Sequence, residues 1–296
     1  MKKILFKFFF LFLLVSPNYF LFAQQENNDS LSINKNYEDS SCEKNRLKKY
    51  FHNKRPILQV NYGKVNFHHE LVSNKFDQLG GIQLKLGFLK VKEFKRKYLQ
   101  SIHENSLSIS FFNKNLMNEQ KSDDLTLETK YQISLGMNDG YAYNLPNFKF
   151  VLNNGNEFEL TNSNVSNLVS TDSALIEPFN GYTRFGQAGN ANVSLVFFDL
   201  IGIDFQYKFG TIFPRHLFWK HIGSILIEEA TKSLLSNYID KIFNNRPAAG
   251  PIISFLLNTS LKYAFYELRQ DKMNWPFNSP NPLNYDFFSV GVKFIF

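Results

Sequence analysis

Six histidines are the side chains best suited to chemistry near neutral pH: His52, His68, His69, His103, His216 and His221. A histidine can activate a serine for acyl transfer or hold a metal ion. For the first use the neighbours matter. His103 has Ser101 and Ser106 close by, and His68-His69-Glu70 stand together in a segment read as a loop. Neither makes a local nucleophile motif, so a hydrolase would have to assemble its serine, histidine and third polar group from distant parts of the chain. For the second use the spacing matters. His216 and His221 are five residues apart, whereas two ligands on one helix face need a spacing of four, and no His-Glu-x-x-His occurs. No glycine-rich phosphate loop appears, and Gly80-Gly81 reads as a turn. The sequence therefore predicts no catalytic, cofactor-binding or metal residues.

The elements that would position any site carry more information. Residues 1–23, MKKILFKFFFLFLLVSPNYFLFA, have a basic start, an apolar run from Ile4 to Val15 and small-residue cleavage near Ala23. That is the layout of a secretory signal; the run is shorter than the ~20 residues of a spanning helix. Residues 24–55 are polar and aperiodic, and predict a flexible tail. The single cysteine, Cys42, allows no intramolecular disulfide. It stands too far from the apolar run for lipidation and reads as a surface thiol. The net charge of +7 falls to +4 when Lys2, Lys3 and Lys7 leave with the signal. Basic clusters at 44–55 and 90–97 suit solvated turns or anionic headgroups, and export argues against nucleic acid. Aromatic residues make up 17% of the chain, yet mean hydropathy is −0.27. A membrane β-barrel reconciles these, because half of each strand faces away from lipid.

From Pro56 onward a period of two recurs. Strands are predicted at 56–65, at 81–92 with a bulge near Gly87, and at 106–112. The longest alternation, 125–137, sets Leu125, Leu127, Thr129, Tyr131, Ile133, Leu135 and Met137 on one face. Asn138-Asp139-Gly140 and Asn153-Asn154-Gly155 read as tight turns, and 162–190 as a long loop. Residues 192–210, 252–268 and 286–296 read as further strands. One segment breaks the pattern. After Pro214, residues 215–243 repeat Phe218, Ile222, Ile225, Leu226, Ala230, Leu234, Tyr238 and Ile242 at helical spacing. This predicts one amphipathic helix. Counting strands back from the last one places it on the periplasmic side, covering the barrel's rim or lumen, lying on lipid or docking a partner.

The signal, the alternating strands and the ending Val290-Gly291-Val292-Lys293-Phe294-Ile295-Phe296 resemble Gram-negative outer-membrane β-barrel proteins. The Lys-, Asn- and Phe-rich composition resembles the Bacteroidetes type. The resemblance implies an all-β fold: an antiparallel transmembrane barrel of 8–10 strands over 56–296, with a helical insertion at 215–243. It also implies that Phe288, Val290, Val292, Phe294 and Phe296 form the strand read by the barrel-assembly machinery. The expected function is non-enzymatic: an accessory or structural subunit of an outer-membrane assembly, or small-solute passage. Its expected partners are outer-membrane lipid and a protein bound through 215–243 or the tail, with no cofactor. The alternatives are an outer-membrane lipid acyl hydrolase and a secreted, soluble β-rich ligand-binding protein.

Overall fold

The protein is described by a computed structural model covering residues 54–94, 98–117, 125–167 and 172–296. The signal, most of the tail, Cys42 and His52 lie outside these residues. Eight antiparallel strands close into a barrel in sequence order. They are β1 (Lys54–His68), β2 (Leu79–Glu93), β3 (Leu99–Asn113), β4 (Thr126–Asn144), β5 (Phe148–Ser166), β6 (Thr183–Phe197), β7 (Ile201–Ile212) and β8 (Leu283–Ile295). Two helices, α1 (Phe218–Asn245) and α2 (Gly250–Arg269), stand between β7 and β8.

The register fixes the barrel's shape. Paired residues run from Lys90 through His103, Asp139, Asn154, Ala191, Tyr207, Phe288 and Lys64 to Gly80. The row returns to β2 ten residues from its start. Eight strands with that stagger tilt by about 40° to the axis, and their interior is just wide enough for side chains to fill. All the odd-numbered strand-to-strand links (β1–β2, β3–β4, β5–β6, β7–β8) lie at one rim, and the β7–β8 link is the longest of them. The other rim has only the links 94–98, 145–147 and 198–200.

The structure corrects several sequence expectations. Residues 252–268 form helix α2, not a strand, so the insertion is a helical hairpin and not a single helix. Asn138-Asp139-Gly140 and Asn153-Asn154-Gly155 lie inside β4 and β5, paired with each other. Fourteen successive β4–β5 pairs, from Tyr131↔Asn162 to Asn144↔Lys149, hold them in the ladder, which outweighs their local turn preference. Of 162–190, expected as loop, residues 162–166 and 183–190 are strand. No bulge occurs at Gly87: Leu89 and Val91 point inward with Gln83 and Lys85. The irregularity falls instead between Thr129 and Tyr131. It divides the expected single face, so that Leu127 and Thr129 are buried while Tyr131 and Ile133 look outward. Lys54 and Arg55, read as tail, open β1.

Residues 192–210 contain two strands joined by Phe198-Asp199-Leu200. Phe198 and Asp199 both have positive φ, 53° and 57°, at the centre of a tight turn closed by Leu200 N–H donating to Phe197 O at 3.0 Å. Neither is the Gly or Asn that marks such turns in sequence, which is why the hairpin was hidden. The Phe198→Asn substitution should relieve part of that strain and raise the unfolding free energy by about 1 kcal/mol, read from urea denaturation.

Candidate functional site

Inward side chains stack in three layers. The rim with the long connections is closed by Val65, Phe67, Leu79, Phe112, Tyr285 and Phe287 among others. Phe112 meets Phe287 at 5.1 Å and Tyr285 at 6.1 Å, in tilted ring contacts. The opposite rim is closed by a smaller cluster that includes Ile57, Leu89, Ile102, Val151 and Ile295. Between them lies a buried polar layer.

Two charge clusters organise that layer. Lys208 Nζ lies 2.7 Å from Glu157 Oε2 and 2.5 Å from Glu159 Oε1. Asn190 donates to Glu157, and the Tyr285 hydroxyl donates to Glu159 at 2.6 Å. Lys293 pairs with Glu104 at 3.0 Å and Asp204 at 3.5 Å. Gln59 donates to Asp204 and to Asn61, which donates in turn to Gln83 and Gln206. Lys85 is buried within electrostatic reach of both Glu104 and Glu157. These groups come from seven strands and bond largely to one another, although Gln59 Oε1 and Gln206 Nε2 are buried without a hydrogen-bond partner. Lys208, Glu159, Gln83 and Gln132 are all fully buried. The packing is close: a Cβ at Gly210 would stand 2.2 Å from the Tyr285 ring. Gly210→Ala should therefore destabilise the barrel by about 1–3 kcal/mol in the same denaturation assay.

Outward side chains form an apolar belt, with Leu84, Leu86, Leu107, Ile133, Phe205 and Val292 all exposed. Aromatic residues stand at both margins. At the short-link rim Phe94 lies against Tyr141, Tyr143 against Phe150 and Phe148 against Phe197. At the other margin stand Tyr62, Tyr131 and Phe288. From Tyr131 to Tyr141 the strand climbs ten residues, about 25 Å along the barrel axis at that tilt.

The histidines are not brought together. His68 lies at the upper margin, its Nε2 3.4 Å from the Tyr266 hydroxyl. His69 is buried in the following loop, where burial holds its pKa below the ordinary imidazole value. Leu71 N–H donates to its Nδ1 at 3.3 Å. His103 is on the outer wall, paired with Asp139 at 2.6 Å. His216 and His221 pack with Phe185, and burial also lowers the pKa of His216. Among the described residues no serine hydroxyl hydrogen-bonds to a histidine, and no group of His, Cys, Asp and Glu could hold a metal ion.

The helical hairpin packs on the outside of this wall, over β4–β7. Its tip lies at the short-link rim: the Tyr143 hydroxyl donates to Ala248 O at 2.7 Å, and Tyr141 meets Phe243 at 4.9 Å. Higher up, Asn154 donates to Phe255 O and Thr259 Oγ1, and Lys262 donates to Asn156 at 2.6 Å. Near the top Phe209 meets Tyr266 at 5.3 Å. Arg269 pairs with Glu228 at 2.8 Å and donates to Ser224 at 3.1 Å. The Gln187 amide, with its oxygen turned toward this guanidinium, accepts from Nε and Nη1 at 3.1 and 2.7 Å.

The expected apolar helix face does not cover rim or lumen. Phe218, Leu226, Ala230, Leu234 and Tyr238 point away from the barrel, while Ile222, Ile225 and Ile242 are half-buried. His221, Ser224 and Ile239 face inward instead. On the last strand Phe288, Val290 and Val292 look outward, Phe294 is half-buried, and Ser289 and Lys293 are enclosed. Phe296 N–H donates to Pro56 O, next to the β1–β8 closure.

No family model matches the chain, and no curated protein matches it. Several solved structures are similar to it. The crystal structure of Neisserial surface protein A (NspA) is 11% identical, covers 81% of this chain and 97% of that one, and has a TM-score of 0.37. Ail, the attachment invasion locus protein of Yersinia pestis, is 8% identical over 82% and 98%, with a TM-score of 0.30. Ail in complex with the heparin analogue sucrose octasulfate is 10% identical over 82% and 99%, with a TM-score of 0.32. The barrel assignment rests on the chain's own closed strand pairing.

Proposed function

We propose that this chain is a non-enzymatic outer-membrane barrel that serves as an accessory or structural subunit of a membrane assembly, acting through its outer surface. The observation that carries this reading is the lumen, filled by a paired polar layer and closed by an apolar cluster at each rim. That packing removes support from the small-solute passage considered from sequence. Membrane residence is supported by the apolar belt of about 25 Å with aromatic margins, the dimensions of an outer-membrane barrel wall. Short links at one rim and long ones at the other support a periplasmic and an extracellular end respectively. On that orientation the hairpin connection leaves from the extracellular rim, opposite to the side expected from sequence. Residues 1–23 would direct export. Phe288, Val290, Val292, Phe294 and Phe296 would supply the strand that the assembly machinery reads. The hydrolase reading finds no serine–histidine pair, and a soluble protein would leave the belt facing water.

Extraction and gentle-detergent pulldown test this. The expected result is recovery only with detergent, heat-modifiable gel mobility and a stoichiometric membrane-protein partner. Recovery as a soluble monomer would contradict membrane residence, and recovery of the folded barrel alone would contradict the subunit role.

A further inference from the structure

The hairpin has an inverted polarity for a helix pair packed on a protein surface. Several of its polar groups face the barrel: Ser224, Glu228, Thr259, Lys262 and Arg269 all bond toward the wall or across the hairpin. Large apolar groups face away, with Leu226 62%, Leu234 73% and Leu256 56% exposed, alongside the exposed Ser233, Ser236 and Asn237 of α1. The wall beneath is the complement. Elsewhere the belt is mostly Leu, Ile, Val and Phe, but under the hairpin it carries Asn154, Asn156 and Gln187 outward. Asn156 pairs with Met137, close to mid-height between Tyr131 and Tyr141. Polar residues at that height on a lipid-facing wall would be costly unless covered.

The length also fits. On α1 the exposed charges are Lys220 at one end and Asp240 and Lys241 at the other. The twenty residues from Lys220 to Asp240 span about 30 Å, the thickness of a bilayer hydrocarbon core. Within that interval Glu229 and Lys232 are partly exposed and form an ion pair at 3.6 Å. On α2 no exposed charge occurs from Gly250 to Tyr266. Neither helix is long and apolar enough to cross a membrane unaided. The wall makes the difference, because Lys262 and Arg269 find partners on the enclosed side. Ionisable residues at membrane depth are tolerated in that arrangement.

We infer that the α1–α2 hairpin lies in the hydrocarbon layer against the outside of β4–β7, with its outer face in contact with lipid acyl chains. The inference rests on the membrane-barrel reading. The barrel then presents two kinds of lipid-facing surface: bare strand, as on β1–β3 and β8, and helix over part of β4–β7.

Nitroxide accessibility in the full chain tests this, with Cys42→Ser removing the single native thiol. Spin labels go on Leu226→Cys, Leu234→Cys and Leu256→Cys on the hairpin, Leu84→Cys on the bare belt, and Lys220→Cys and Asp240→Cys at the flanks. The protein is reconstituted in phosphatidylcholine vesicles and probed with oxygen and a water-soluble nickel chelate. The expected oxygen-to-nickel ratio at the three hairpin positions matches that at Leu84→Cys and exceeds that at the flanks severalfold. High nickel access at the hairpin positions, with a lipid signature kept at Leu84→Cys, overturns the inference alone. Low access to both probes at the hairpin positions also overturns it, since that face would then be packed against a second copy. High nickel access at Leu84→Cys as well overturns the membrane-barrel reading beneath it.

Discussion

Replacing Lys208 with methionine should lower the stability of the folded barrel by about 3–5 kcal/mol, because it strands two buried carboxylates. Lys208 is the cation between Glu157 and Glu159, and all three side chains are enclosed. Once it is gone, Asn190 and Tyr285 still donate to the two acids, but no nearby ammonium balances both. Lys85 lies within electrostatic reach of both Glu157 and Glu104. The loss therefore exceeds that of an exposed ion pair, worth at most about 1 kcal/mol. The triple change Lys208→Met, Glu157→Gln, Glu159→Gln should recover most of the stability, since an uncharged layer has no unpaired charge to bury. Urea unfolding followed by heat-modifiable mobility reads both. A single variant as stable as the parent would show that water reaches the cluster.

Excising the hairpin should have the second large effect. Residues 214–281 can be replaced by a short turn, because Ile212 and Leu283 are already paired neighbours. The shortened barrel keeps all eight strands and its whole interior. It uncovers Asn154, Asn156 and Gln187 on the wall, and the buried ring of Phe209 beside them. Presenting those amides to lipid should cost roughly 2–5 kcal/mol in total. Folding yield into vesicles should fall accordingly. Adding Asn154→Leu and Asn156→Leu to the shortened chain should restore much of it, since both positions would then match the belt. If excision leaves folding unchanged and the leucines add nothing, the hairpin does not shield the wall.

Much of the fold was legible in the sequence, and the failures share a cause. Alternation betrays a strand wherever its two faces meet different solvents, as in β1 and β8, where Val60, Tyr62, Val290 and Val292 face out and Gln59, Asn61, Ser289 and Lys293 face in. It fails where the outer face is covered. On β5 and β6 the hairpin permits Asn154, Asn156, Gln187 and Gly189 to face outward, so polar residues fall on both faces and Asn-Asn-Gly passes for a turn. Helix α2 was lost for the converse reason. Its Phe255, Leu257, Thr259, Leu261, Tyr263 and Phe265 alternate by chance at period two, while the side chains it buries, Ser254, Lys262, Phe265, Tyr266 and Arg269, include three polar ones. A search for apolar periodicity does not find a helix that buries its polar side. The charged lumen was equally hidden, because Lys208 and Glu157 look like ordinary lumen-facing polar residues until the register places them together across the barrel.

Single-channel recording of the purified, folded protein in a planar lipid bilayer tests the closed interior most directly. With the lumen filled by the Lys208 and Lys293 clusters and shut at both rims, the protein should insert and pass no discrete current steps. Stable ohmic steps from the heat-modifiable, folded form would contradict a sealed barrel that works only through its outer surface.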